Sequence, residues 1–344
     1  MTQTPAIPIK KRRNGALLGL ACGDAFGTTN EFARPRDLPP LTKDTLLDGP
    51  QTELVGGGPF NVAKGQVTDD TMMATVLHVH LCLEDGIDPE VLHELYRAWC
   101  NVTFDIGGQT SAALASANVD QGYISWDQGG RRAAGNGSLM RCAPIGAWRW
   151  QDEERDHERI QLAITDAALT HADPKCVSAC AAYATAIAHA LREEPVTKVT
   201  AAAEAAITMA ATRLRVTGRY SDDEVNEAAG ALSEDLLMAE QDDALVMGED
   251  HGIALDMYGA QGFVRVAFRL AFWHLYHGTP YRDAIIDITN RGGDSDTNAA
   301  IVGGLLGAHQ GPEALPGAWE IAVINALDRD HRLWEFHPRL FVEV

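Results

Sequence analysis

The sequence predicts an all-α protein, a compact single domain of many helices, and three observations carry that reading. Two Ala-rich stretches, 174–192 and 197–214, hold apolar residues too continuous for a simple surface helix, and Ala is the best helix former. Pro89, Pro174, Pro195 and Pro280 stand where helices would begin, a place that tolerates the missing N–H. No run alternates apolar with polar residues and no βαβ spacing recurs, so strand signals are sparse.

Residues 1–13 read as an N-terminal tail ahead of a domain spanning 14–344. Lys10, Lys11, Arg12 and Arg13 followed by the apolar run 16–22 faintly match a secretion signal. That run is too short, Asp24 closes it, and Gly19 stands where a lipoprotein signal wants Leu. No later run approaches the length of a membrane span, so a soluble, cytoplasmic protein is expected. Residues 34–66 are irregular, with Pro35, Pro39, Pro40, Pro50 and Gly56-Gly57-Gly58-Pro59. A loop of that length inside a helical domain reads as a cover over a site. Helices are expected over 72–83, 89–101, 157–170, 174–192, 197–214, 260–277 and 294–309. Residues 221–257 form an acidic insertion with twelve carboxylates and no Lys or Arg. It is either a solvated helix and loop or a partner-facing surface.

Charge and cysteine content bound the function. Among 344 residues, 28 Lys and Arg face 48 Asp and Glu, a formal charge of −20. Such a surface is not built for nucleic-acid backbone or anionic membrane, and neither is expected as a partner. The insertion holds −12 of that charge, leaving −8 for the rest. Cys22, Cys82, Cys100, Cys142, Cys176 and Cys180 include no C-x-x-C pair and read as buried thiols in a reducing compartment.

Two short acidic clusters stand out. Thr68-Asp69-Asp70-Thr71 precedes an apolar run, and Asp294-Ser295-Asp296-Thr297 follows Gly292-Gly293 and leads into another. Capping explains one acid per helix, perhaps two, because carboxylates favour the positive end of the macrodipole. Four carboxylates and two hydroxyls ahead of buried helices point to a compensating divalent cation. Hard oxygen donors without His or Cys favour Mg²⁺, Mn²⁺ or Ca²⁺ over Zn²⁺. Both readings, capping and metal, stand at this level. Gly135-Asn136-Gly137-Ser138-Leu139 is either an ordinary turn or a loop whose N–H groups, ahead of an apolar helix, take an anion. His171, in Thr170-His171-Ala172-Asp173-Pro174, is a cap, a core residue or a ligand.

Together these motifs resemble the ADP-ribosylglycohydrolase family, which includes the dinitrogenase-reductase-activating glycohydrolase and the ADP-ribosylarginine hydrolases. In family order come Gly19-x-x-x-Gly23-Asp24-Ala25-x-Gly27 with Glu31, Thr68-Asp69-Asp70-Thr71 and Asp105-Ile106-Gly107. Gly135-Asn136-Gly137-Ser138-x-Met140-Arg141, His171 and Gly293-Asp294-Ser295-Asp296-Thr297 follow. The resemblance implies an all-α fold with a two-metal cleft, the ions being Mg²⁺ or Mn²⁺. Thr68, Asp69 and Asp70 would hold one ion, Asp294 and Thr297 the other, and Asp296 would bridge. Asp69, Asp70, Asp105 and Asp296 would be catalytic, with Asp105 near the scissile ribose. Glu31 falls where some relatives have a gating or metal-contacting glutamate. Gly135, Asn136, Gly137, Ser138 and Leu139 would cradle the diphosphate of ADP-ribose, with His171 nearby. The family's adenine-stacking aromatic is not placed by motif, and residues 34–66 and 221–257 depart from most relatives.

The resemblance implies hydrolysis of an N-glycosidic bond between ADP-ribose and a protein side chain, arginine foremost. Asp69, Asp105 and a metal-bound water remain open as the acid for the leaving group. The partner is then an ADP-ribosylated protein. Alternatives are another ADP-ribose linkage (serine, nucleic acid or O-acetyl-ADP-ribose), an immunity-type protein that blocks an ADP-ribosyltransferase, or a two-metal phosphohydrolase.

Overall fold

A computed structural model describes residues 9–34, 41–42, 51–245, 258–326 and 331–344. In chain order its α-helices are α1 (Ile9–Gly27), α2 (Asp69–Glu84), α3 (Pro89–Cys100), α4 (Gly108–Ala113), α5 (Gln121–Gln128), α6 (Ala143–Ala147), α7 (Asp156–Thr170) and α8 (Pro174–Leu191). There follow α9 (Val196–Val216), α10 (Asp222–Gln241), α11 (Val264–Tyr276), α12 (Tyr281–Arg291), α13 (Ser295–Gln310), α14 (Gly317–Asn325) and α15 (Leu340–Glu343). The only regular strands among the described residues are β1 (Leu41–Thr42) and β2 (Ala244–Leu245), paired antiparallel. The all-α expectation holds. No helix among the described residues is long and apolar enough to cross a membrane.

The centre of the fold is the antiparallel pair α1 and α13. Gly15, Gly19, Gly23 and Gly27 recur every fourth residue, so they form one stripe along α1. That stripe lies on the backbone of α13. A methyl group at Gly23 would stand 2.1 Å from the Ala299 carbonyl oxygen, and one at Gly19 2.4 Å from that of Gly303. Gly303 and Gly307 answer from α13, against the Gly19 and Gly15 carbonyls. Backbone thus packs on backbone, and the C-terminal end of α1 meets the N-terminal end of α13. Helix α13 is buried on every side from Ser295 to Ala308.

Helix α1 was not expected. Four glycines cost an isolated helix roughly 1 kcal/mol each, and only the fit to α13 compensates. The segment read as a tail also enters α1, which starts at Ile9. Buried Arg12 donates to the Ala190, Ala308 and His309 carbonyls at the ends of α8 and α13.

The Ala-rich stretches form α8 and α9 as expected. Pro89 and Pro174 take the first helical position behind the capping carboxylates of Asp88 and Asp173. Pro195 and Pro280 stand one place earlier, as extended N-caps. The helix expected from residue 260 begins only at Val264, because Gly262 adopts φ +75°. The six cysteines are free; Cys82 is exposed and Cys100 half-buried, so the expectation of uniformly buried thiols is corrected.

The acidic insertion is not an appendage. Helix α10 starts with a capping box between Ser221 and Glu224 and buries Val225, Ala228, Leu232, Leu236 and Ala239. Asp222, Glu224, Glu227, Glu234, Asp235 and Asp242 pair with Arg215, Arg131, Lys175, Arg265, Arg265 and Arg269 of other segments. Six of the nine described acids of the insertion are thus paired in space. Residues 246–257, with Glu249, Asp250 and Asp256, lie outside the described residues. Gly230 on the exposed face of α10 has nothing near its Cβ position. Gly230→Ala should therefore stabilise the protein by about 0.5–1 kcal/mol, read as a raised midpoint in urea unfolding.

Candidate active site

Three helix ends converge where α1 meets α13. Asp24, on the last turn of α1, is fully buried and accepts the Thr68 N–H at 3.0 Å and the Thr71 N–H at 3.2 Å. The Thr68 hydroxyl lies 2.9 Å and the Thr71 hydroxyl 2.5 Å from the same carboxylate. Asp24 thus caps α2 from another helix, while the N-cap Thr68 makes no side-chain cap bond. Neither Asp69 nor Asp70 is needed for capping, and Asp70 Oδ1 is buried without a partner. At α13 the N-cap Asp294 makes no side-chain cap bond, while Asp296, already inside the helix, accepts the Thr297 N–H at 2.9 Å with its Oδ1.

A cavity of about 440 Å³ opens over these ends. Glu31, Asp69, Asp105, Asp294, Asp296 and Thr297 line it, as do Gly135, Asn136, Gly137 and His171. Thr68 and Asp70 are fully buried and do not line it. Ser138 and Leu139, expected at the substrate, do not line it either. The Ser138 hydroxyl accepts from Cys180 Sγ at 3.4 Å, and Leu139 belongs to the core. The described part of the irregular loop, residues 51–66, contributes no wall; it packs on the end of α1 and the turn after it, with the Thr29 hydroxyl donating to the Gly56 carbonyl.

One oxygen each of Glu31, Asp105 and Asp296 lie within 4.8 Å of one another. Burial, then mutual repulsion, raises Asp69, Asp70 and Asp296 well above the carboxylate range. The same causes push Glu31 up to about 8 and Asp105 to about 6. Asp294 is raised by burial, although Asn136 Nδ2 donates to it at 2.6 Å. No Lys or Arg among the described residues lines the cavity. The acids therefore lack a protein counter-charge, and the unpartnered oxygens Asp70 Oδ1 and Glu31 Oε2 are hard donors suited to a divalent cation.

These shifts predict a pH effect. Between the ordinary value of 4.5 and about 8, the folded chain keeps a proton on Glu31 that the unfolded chain has lost. Stability then falls as pH rises, and Asp105 adds to the fall up to about 6. Chelated protein should melt lower at pH 8 than at pH 5, and Mg²⁺ or Mn²⁺ should raise the midpoint mainly at pH 8. A flat profile in differential scanning calorimetry would contradict this.

The glycine loop is clamped from both sides. Gln109 Oε1 accepts the Gly135 N–H at 3.0 Å, and the Gly262 carbonyl accepts that of Asn136 at 2.9 Å. The N–H groups of Leu139 and Met140 turn back to the Asn136 carbonyl. Those of Gly137 and Ser138 have no partner among the described residues. Beneath, Arg141 donates to the Gly137 carbonyl and to Asp166, which also accepts from Tyr96 at 2.7 Å. Gly135 and Gly137 do not take positive φ. They are required because a Cβ at Gly137 would lie 2.9 Å from the His171 ring. The loop does not run straight into a helix; α6 begins at Ala143. His171 both ends α7 and lines the cavity, its imidazole kept neutral and pushed down to about 3 by burial and Arg141. Asp24 (as cap), Gln109, Gly262 and Phe32 escaped the site reading. Asp24 alone left a signal, inside the Gly19 to Gly27 motif.

The family model for ADP-ribosylglycohydrolase matches residues 6–341. The chain belongs to the ADP-ribosylglycohydrolase family. It is 30% identical over 318 residues to ADP-ribosylarginine hydrolase Tri1 of Pseudomonas putida (strain GB-1), covering 90% of this chain and 73% of that one. It is 25% identical to ADP-ribosyl-[dinitrogen reductase] glycohydrolase of Rhodospirillum rubrum, covering 94% of each. A solved ADP-ribosylglycohydrolase-related protein complex superposes with a TM-score of 0.64 at 26% identity, over 97% of this chain and 98% of that one. Family membership supports a glycohydrolase acting on ADP-ribosyl linkages.

Proposed function

We propose that this ADP-ribosylglycohydrolase cleaves the N-glycosidic bond between ADP-ribose and an arginine side chain of a modified protein, using two divalent cations, Mg²⁺ or Mn²⁺. The observation that carries the reading is an acid-walled cavity, without a cationic side chain among the described residues, in which Glu31, Asp105 and Asp296 oxygens lie within 4.8 Å. The relatives named for ADP-ribosylarginine and ADP-ribosyl-[dinitrogen reductase] support the substrate class.

Thr68, Asp69 and Asp70 would hold one ion, Asp294 and Thr297 the other, with Asp296 between and Glu31 beside them. When bound, the ions orient the ribose hydroxyls and a water and lower the pKa of that water. The chain's own part is positional and electrostatic. The Gly137 N–H, unpaired among the described residues, would donate to the diphosphate, and Asp24 holds the Thr68 to Thr71 turn. Asp69 and Asp105 both line the cavity, and burial raises both. One of them keeps a proton that it can give to the departing guanidine nitrogen. The remaining carboxylates offset the positive charge that develops at the ribose anomeric carbon as the bond breaks.

The test offers arginine-linked, serine-linked and nucleic-acid-linked ADP-ribose, with Mn²⁺ and with EDTA, and follows free ADP-ribose. Release from the arginine linkage alone, abolished by EDTA, is the expected result. Release only from another linkage would overturn the arginine assignment. Tight binding to an ADP-ribosyltransferase without any release would replace hydrolysis with blocking.

A further inference from the structure

Phe32 stands out at the mouth of the cavity. It lines the wall beside Glu31, yet it is 54% exposed, and its backbone takes φ +58°. The left-handed region disfavours a bulky residue, and a half-exposed ring recovers little by burial. The conformation is enforced from below. The Phe32 N–H donates to the Gly293 carbonyl at 2.7 Å, and the Gly293 N–H to the Ala33 carbonyl at 2.9 Å. Gly292, at φ +72°, lets this clip close, since a Cβ there would meet the Ala33 oxygen at 2.3 Å. The segment carrying Asp294 therefore also fixes where Phe32 sits. Phe104, next to Asp105 in sequence, is 36% exposed and packs on Phe60 with ring centroids 5.6 Å apart, but it does not line the cavity; Phe32 is the aromatic side chain that does.

We infer that Phe32 is a specificity-determining residue that takes the guanidinium of the modified arginine against its ring. The inference rests on the arginine reading above and deepens it to the leaving-group side. A planar cation is matched here on two counts: an aromatic face attracts it, and carboxylates accept its N–H groups. The wall supplies both, with Phe32, Glu31 and Asp105 among its residues and, among the described residues, no Lys or Arg to repel the cation. A neutral serine or acetyl leaving group would gain nothing from that pairing.

The test measures release from an ADP-ribosylarginine substrate at saturating Mn²⁺ for wild type, Phe32→Ala, Phe32→Leu and Phe32→Trp. Binding of free ADP-ribose, which lacks the guanidinium, is measured by calorimetry in parallel. Phe32→Ala and Phe32→Leu should raise KM roughly tenfold, and Phe32→Trp should keep it near wild type. ADP-ribose affinity should stay the same in all four. Wild-type KM in Phe32→Leu overturns the inference. So does a loss of ADP-ribose affinity that parallels KM, which would make Phe32 a contact of ADP-ribose itself. Wild type that binds ADP-ribose but releases none from arginine fails the substrate reading instead, and it is recognised before any variant is compared.

Discussion

Asp296→Asn should abolish catalysis and stabilise the chelated protein at once. Asparagine keeps the shape, and its Oδ1 can still accept the Thr297 N–H that Asp296 accepts at 2.9 Å. What disappears is one charge in a cluster where Glu31, Asp70, Asp294 and Asp24 all repel it. If Asp296 holds the cations as proposed, its loss should lower ADP-ribose release on the order of 10²–10³-fold or more. Relief of the repulsion acts the other way on the fold. Asp296 is raised, so without cations its charge disfavours the folded state as pH rises. The melting midpoint of chelated Asp296→Asn should therefore exceed that of wild type at pH 8 by about 2 °C for each kcal/mol relieved, and the gap should shrink as pH falls towards the ordinary aspartate value of 3.8. Added Mn²⁺ should close the gap, because it stabilises wild type more. A variant that loses activity by melting early would show that Asp296 is structural and would sink the metal assignment.

Gly23→Ala should be among the most damaging single methyl groups. It would place a carbon 2.1 Å from the Ala299 carbonyl oxygen, backbone against backbone, where no rotamer can yield. Overpacking of a close core costs about 1–3 kcal/mol, and a clash that separates two helices belongs at the upper end. Helices α1 and α13 carry Asp24, Asp294 and Asp296, so a shift between them also spreads the carboxylates. We expect a midpoint lower by at least ~5 °C and a loss of Mn²⁺-induced stabilisation in calorimetry. Gly230→Ala is the control: the same change in α10, with open space at the Cβ, acts in the opposite direction. If both variants behaved alike, helix propensity rather than packing would explain the glycines of α1.

The two clusters around Asp69 and Asp296 were legible because their signal is local. Paired carboxylates ahead of apolar runs conflict with burial wherever the chain goes, so they mark a site before any fold is known. Helices α8 and α9 were legible for the same reason, through Ala content and apolar continuity. The glycine loop was half legible. Its position was clear, but the reason for Gly137 is a histidine more than thirty residues on, and the side chains of Ser138 and Leu139 turn into the core.

By itself, then, the sequence determined the helical class, most helix starts and the two acidic clusters, since propensity, periodicity and capping act within a few residues. Tertiary structure alone decided that a four-glycine segment becomes the central helix, and that Asp24 caps α2 from α1. It alone paired the acids of α10 with arginines and a lysine from other segments, and brought Phe32 beside Glu31 at the cavity mouth. Each of these depends on what a distant segment presents at contact distance. A stripe of glycines is a defect in an isolated helix and a fitting surface only where another backbone lies within about 4 Å.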